Sequence, residues 1–196
     1  MKWTAAWPTA WPATPPAKTE VGQRCFIALG ANLGEPVATV KAAILALREL
    51  PQTQFIAASS LYRTAPVGLK HQPDFINAVV ELIAVPDSVC QGFRFTGWQA
   101  PTFLESLFGI EARFGRQRSM KNAPRTLDLD LLLYGDVLCD DPQLTLPHPR
   151  MHQRAFVLAP LAEIAPQLVV PGRGGVAELL LRCADQQIEK MPPNSV

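Results

Sequence analysis

An α+β domain is what this sequence predicts, with one antiparallel sheet flanked by helices in the order β-α-β-β-α-β. Three observations lead there. Short apolar runs of strand length and composition stand at 24–29, 55–62, 75–85 and inside 124–135. Apolar residues at helical spacing fill the intervals after the first run and before the last. No helical pattern separates the second run from the third, which argues against a repeated parallel βαβα fold. The order is that of the ferredoxin-like split pattern, followed here by a C-terminal helix.

Taken in order, residues 24–29 (RCFIAL) are a short apolar strand. Gly30-Ala31-Asn32-Leu33-Gly34 reads as a tight turn, with its two glycines supplying the backbone freedom. Pro36 suits a first helical turn, Val40, Ile44 and Leu47 share a face across 37–50, and Pro51 closes that helix. Residues 55–62 are the second strand, 63–73 (RTAPVGLKHQP) a loop, and 75–85 the third strand, interrupted by Asn77 and Glu81. The stretch 91–101 (QGFRFTGWQAP) reads as an insertion or long loop. Thr102 can cap a helix running to Phe114, with Leu104, Leu107, Ile110 and Glu111 on related faces. Beyond the last strand, 144–156 is broken by prolines and 157–164 is a short helix stopped by Pro166. Gly172 to Gly175 marks a turn before a helix over 176–188.

Composition narrows the function classes. A chain of 196 residues is long enough for one domain with a real core. A net charge of +1 gives no electrostatic reason to expect nucleic-acid binding. No apolar run approaches the ~20 residues of a membrane span. Cys25, Cys90, Cys139 and Cys183 lie far apart without a CxxC, which reads as free thiols in a reducing cytoplasm. Residues 1–20 carry Trp3, Trp7 and Trp11 among prolines and read as a flexible extension, leaving 21–196 as the folded domain.

The last strand holds the chemistry. Within PRTLDLDLLLYG, Asp128 and Asp130 are one residue apart, so they share a strand face at roughly 6–7 Å between Cα atoms. Two like charges that close on a mostly buried element call for a cation, and Mg²⁺ is the usual one where phosphates are present. A solvated edge or a salt-bridged pair is the plainer alternative. The segment just upstream favours the cation: Arg113, Arg116, Arg118, Lys121 and Arg125 follow one another with no acid between them. Arginines beside paired carboxylates are what a phosphoryl-transfer site needs. GxxxxGK[ST], GxSxG and HExxH motifs are all missing. His148 and His152 are four apart, but Pro147 and Pro149 argue against a shared helix and a zinc pair.

Six segments resemble the 6-hydroxymethyl-7,8-dihydropterin pyrophosphokinase family of folate biosynthesis. They are 26–34 (FIALGANLG), 61–68 (LYRTAPVG), 72–82 (QPDFINAVVEL), 110–118 (IEARFGRQR), 124–135 (PRTLDLDLLLYG) and 144–156 (LTLPHPRMHQRAF). The resemblance implies a ferredoxin-like fold and transfer of the β,γ-pyrophosphoryl group of ATP to the pterin's hydroxymethyl oxygen, with release of AMP. By motif, it makes Asp128 and Asp130 the ligands of two Mg²⁺ ions. Arg116 and Arg125 become the residues that stabilise the transferring group, with Arg118 and Lys121 assisting from a mobile loop. Glu111, Leu131 and His148 match nucleotide contacts, and Arg154 a phosphate or loop contact. For the pterin it implies Phe75 and Phe156 on the ring faces, Asn77 on the ring edge, and backbone groups around Thr64 and Val67. Association with other folate-pathway enzymes is a further implication.

Some positions depart from the family pattern. Asn122-Ala123 stands where Trp-Gly is usual, Phe108 where a glutamine is usual, and Phe75 where a tyrosine is common. These departures keep a second reading open: a catalytically degenerate relative that binds nucleotide or pterin. A metal-dependent phosphohydrolase using the same carboxylates is a third, disfavoured by the near-neutral charge and the lack of a second acidic cluster.

Overall fold

A computed structural model describes residues 22–66, 72–85, 100–116 and 124–192. The Trp-bearing extension, nearly all of the 91–101 stretch and the segment with Arg118, Lys121, Asn122 and Ala123 lie outside the described residues.

The elements run β1 (Gln23–Ala31), α1 (Pro36–Arg48), β2 (Thr53–Ala58), β3 (Tyr62–Thr64), β4 (Phe75–Ala84), α2 (Ala100–Arg113) and β5 (Asp128–Tyr134). A small hairpin, β6 (Cys139–Asp140) with β7 (Thr145–Leu146), and a 3-10 turn at Met151–Gln153 follow. Then come α3 (Ala155–Ile164), the two-residue strands β8 (Val169–Val170) and β9 (Gly174–Gly175), α4 (Val176–Leu181) and β10 (Glu189–Lys190). The main sheet is antiparallel in the order β10-β3-β4-β1-β5, with β2 also paired to β4.

Strand alternation divides the core into two layers. From β1, Cys25, Ile27, Leu29 and Ala31 pack with Val40, Ala43 and Leu47 of α1 and Leu104, Leu107 and Ile110 of α2. Phe26 points the other way, with Val79 of β4, onto Leu158 and Leu161 of α3 and Leu179 of α4. Both faces of the central strands are therefore covered. This is why β1 and β4 read as nearly continuous apolar runs rather than clean alternation.

Several expectations need correction. The strand expected at 55–62 is two strands, because the chain turns away at Ser59 and Ser60. There the Ser59 hydroxyl donates to Ser60 O and accepts the Val79 N–H. Each half then pairs with its own part of β4. Gly30 belongs to β1 rather than to the turn; the turn's positive φ falls at Gly34, at 63°. Helix α2 begins at Ala100, so Thr102 lies inside it, and its carbonyl accepts the Ser106 hydroxyl. The last helix stops at Leu181, and the chain beyond it forms turns and then β10 on the edge of the sheet.

Candidate active site

β1 is the floor on which the site stands. Gly30 lies opposite Asn77 of β4 on one side and Asp128 of β5 on the other; Ala28 lies opposite Asp130. Directly opposed residues point to one face, so Asn77, Asp128 and Asp130 all face the α3 side. With neighbouring strands ~4.8 Å apart, Asn77 and Asp128 stand roughly 10 Å from each other across Gly30. The small residues between them leave room, and a cavity of about 550 Å³ opens there.

Eight of the residues singled out from the sequence line that cavity: Thr64, Phe75, Asn77, Arg125, Asp128, Asp130, Arg154 and Phe156. Val67, Arg118 and Lys121 lie outside the described residues. Arg116, Glu111, Leu131 and His148 are described but are not part of the lining. Leu131 is core on the opposite face, beside α1 and α2. Glu111 is 2% exposed and its carboxylate accepts the Leu129 N–H at 2.7 Å while pairing with Arg116. A buried carboxylate with both a backbone donor and a guanidinium is well satisfied, and it fixes where Arg116 stands.

One end of the cavity is built of charge. Asp128 is held between two guanidiniums, Arg116 at 2.6 Å and Arg125, three residues upstream. Asp130 is the less compensated acid, with His148 Nε2 3.8 Å away. Its carboxyl is pushed up to about 6, first by burial and then by Asp128, against the pull of Arg154, Arg125 and Arg116. Its side chain keeps 38% of its exposure because it looks into the cavity; the burial is that of a concave wall. The same desolvation, with Arg154 and Arg150 nearby, lowers His148 to about 4, so it is a neutral imidazole near pH 7. Among the described residues no three His, Cys, Asp or Glu side chains converge as a metal cage. Two carboxylates on one strand face can hold a hard cation whose remaining ligands are phosphate oxygens and water.

The other end is built of flat rings and an amide. Phe75 and Phe156 contribute rings, and the Arg154 guanidinium lies 5.4 Å over the Phe156 ring. Asn77 is 5% exposed; its amide donates to Thr64 Oγ1 at 2.9 Å. That bond orients the amide and leaves its carbonyl oxygen toward Gly30, at 3.5 Å from where a Cβ would stand. The amide thus presents an acceptor on the cavity's floor.

Asn32 ties the two ends together. Its backbone N–H donates to Arg125 O and its Oδ1 accepts the Arg125 N–H. Its amide nitrogen donates to Gln72 Oε1 and Pro73 O, just before Phe75. Sequence reasoning missed Asn32, as it missed Arg150, Gln153, Gln186, Gln187 and Ile188 of the lining. The last three sit in a stretch whose pattern reads as helix.

Carboxylates and arginines at one end of a single cavity, and stacking and amide groups at the other, are suited to hold a polyphosphate beside a flat acceptor. The fold and this site are those of an α+β enzyme suited to phosphate transfer. Residues 26–166 match the family model for 7,8-dihydro-6-hydroxymethylpterin-pyrophosphokinase. A relative from Pseudomonas aeruginosa, a 2-amino-4-hydroxy-6-hydroxymethyldihydropteridine pyrophosphokinase, is 42% identical over 87% of this chain and 98% of its own length. One of the same name from Haemophilus influenzae is 39% identical over 86% of this chain and 98% of its own. Among solved structures, the Plasmodium falciparum HPPK-DHPS wild type with SDX-DHP superposes with a TM-score of 0.60 at 13% identity, over 86% of this chain. The superposed part is 46% of that longer chain. This chain belongs to the 7,8-dihydro-6-hydroxymethylpterin-pyrophosphokinase family.

Proposed function

We propose that this chain transfers pyrophosphate from ATP to the hydroxymethyl group of 6-hydroxymethyl-7,8-dihydropterin, in folate biosynthesis. The observation that carries the reading is the placement of Asp128 and Asn77 on either side of Gly30, which puts charge and flat-ring recognition one strand apart. In the reaction the pterin's hydroxymethyl oxygen bonds to the β-phosphorus of ATP. The bond from that phosphorus to the α,β-bridging oxygen breaks, AMP leaves and the hydroxyl proton is lost.

The donor set fits Mg²⁺. Asp128 and Asp130 offer only oxygen, on one face, and the raised affinity of Asp130 for a proton marks a place where positive charge is wanted. Two ions bound there would neutralise the phosphates and acidify the attacking hydroxyl. The chain's own residues do the remaining work. Arg125 and Arg116 reach the same carboxylate and can turn to the transferring phosphoryl group when a cation takes their place on Asp128. Glu111 acts chiefly by holding Arg116. His148, the Leu131 backbone and Arg154 belong to the nucleotide side, with Arg118 and Lys121 supplied by the segment between Arg116 and Pro124. Phe75 and Phe156 take the faces of the pterin, and Asn77, with Thr64 and the Val67 backbone, its edge.

The strand order supports reading the fold as ferredoxin-like once β2 and β3 are counted as one bent strand. The family match over 26–166 supports a single pyrophosphokinase domain spanning 21–196. Among the described residues no helix is long and apolar enough to cross a membrane, and the buried thiols of Cys25, Cys139 and Cys183 are free, which supports a cytoplasmic enzyme. A neighbour named as HPPK-DHPS supports association with other folate-pathway enzymes.

The test is product analysis with purified protein, ATP, Mg²⁺ and the hydroxymethyl-dihydropterin. Stoichiometric AMP, absent without either pterin or Mg²⁺, is expected. ADP as the product, or ATP binding without turnover, overturns the reading.

A further inference from the structure

Arg154, the residue before α3, has an extended backbone (φ −126°, ψ 105°) and makes no side-chain cap on the helix. Its side chain is spent elsewhere, over the Phe156 ring and beside the acidic pair. The N–H of Ala155, the first residue of the helix, is taken instead by a residue 31 positions away. Gln186 Oε1 accepts the Ala155 N–H at 2.9 Å, and Gln186 Nε2 donates to Gln153 O at 2.9 Å. One primary amide thus brackets Arg154 on both sides, as a neighbouring strand would. Ala155 is 1% exposed, so its N–H has no water to fall back on.

The same segment is pinned at its far end. Glu189 and Lys190 pair with Arg63 and Tyr62 of β3, and the Met191 N–H donates to Leu61 O. Gln186, Gln187 and Ile188 therefore cross from the start of α3 to the side of β3, the strand that carries Thr64, and all three line the cavity.

We propose that Gln186 is a positioning residue for the acceptor end of the site. It fixes the backbone around Arg154, and with it the Phe156 ring, and it docks the C-terminal segment as the wall that closes that end. The inference rests on the reading that this end receives the pterin.

The experiment compares the full-length wild type with Gln186→Met, which keeps the side chain's length and loses both hydrogen bonds, and with Gln186→Ala. The acceptor KM should rise about tenfold in both; the ATP KM, through Arg154, should rise by a smaller factor of about three, with kcat changed less than about threefold. A double-mutant cycle with Phe156→Leu should be non-additive, because one residue acts through the other. A wild-type acceptor KM in a folded Gln186→Met protein, or an additive cycle, overturns the proposal. If the wild type itself makes no AMP, the functional reading has failed and not the role of Gln186.

Discussion

The two ends of the cavity are built in different ways. The charged end comes mostly from one stretch of chain: Glu111, Arg116, Arg125, Asp128 and Asp130 are close in sequence, the ion pairs among them are mostly local, and only His148 and Arg154 join them from further on. The flat end is collected from β3, β4, the start of α3 and the turns before β10. Its key hydrogen bonds span long separations, from Asn77 to Thr64 and from Gln186 to Ala155. In the proposed function, local charge serves the polyphosphate and the distant assembly selects what receives it.

The largest effect that would test this division lies at the charged end. Asp130→Ala, or Asp128→Ala, should lower AMP formation by roughly 10³-fold or more, with pterin binding in calorimetry nearly unchanged. If either variant keeps wild-type turnover, the carboxylates are structural and the comparison fails. Arg125→Ala should cost roughly 10²- to 10³-fold in kcat with little change in the acceptor KM, measured by steady-state AMP release. Its mirror is Asn77→Ala, which should raise the acceptor KM about tenfold and leave ATP binding intact. A fall in ATP affinity in Asn77→Ala would show that the two ends are not separable.

The smallest effect is one of pH. The folded Asp130 carboxyl sits at about 6, above its ordinary 3.8. Below pH 6 it holds a proton that a cation must displace, so Mg²⁺ affinity should fall as pH drops through 6 and level off near 7. Isothermal titration with Mg²⁺ and ATP at pH 5, 6 and 7 reads this directly, and Asp130→Asn should flatten it. The sign for the metal-free fold is the opposite. A raised carboxyl contributes stability that is full below about 4 and is lost as pH rises through about 6.

How much was legible follows the same line. The strand of Asp128 and Asp130, and the basic run before it, stood out because charge inside an apolar run has few explanations. Phe75 and Phe156 were indistinguishable from core until a resemblance assigned them. The break at Ser59 and Ser60 was hidden because two short strands in line have the same alternation as one long strand. Asn32 and Gln186 left no signal, since a polar residue in a turn looks the same whether it faces water or holds a backbone 31 or 93 positions away.

By itself the sequence determined the element order, the acidic strand, the arginines beside it and the family. Those depend on residue type, periodicity and near neighbours, which a linear chain records. The tertiary structure alone decided that Gly30 separates Asn77 from Asp128, that Glu111 holds Arg116 rather than lining the cavity, and that Gln186, Gln187 and Ile188 line the same cavity as Phe75 and Phe156. Strand register and long-range hydrogen bonds set those relations, and both exist only once the chain has paired across the sheet.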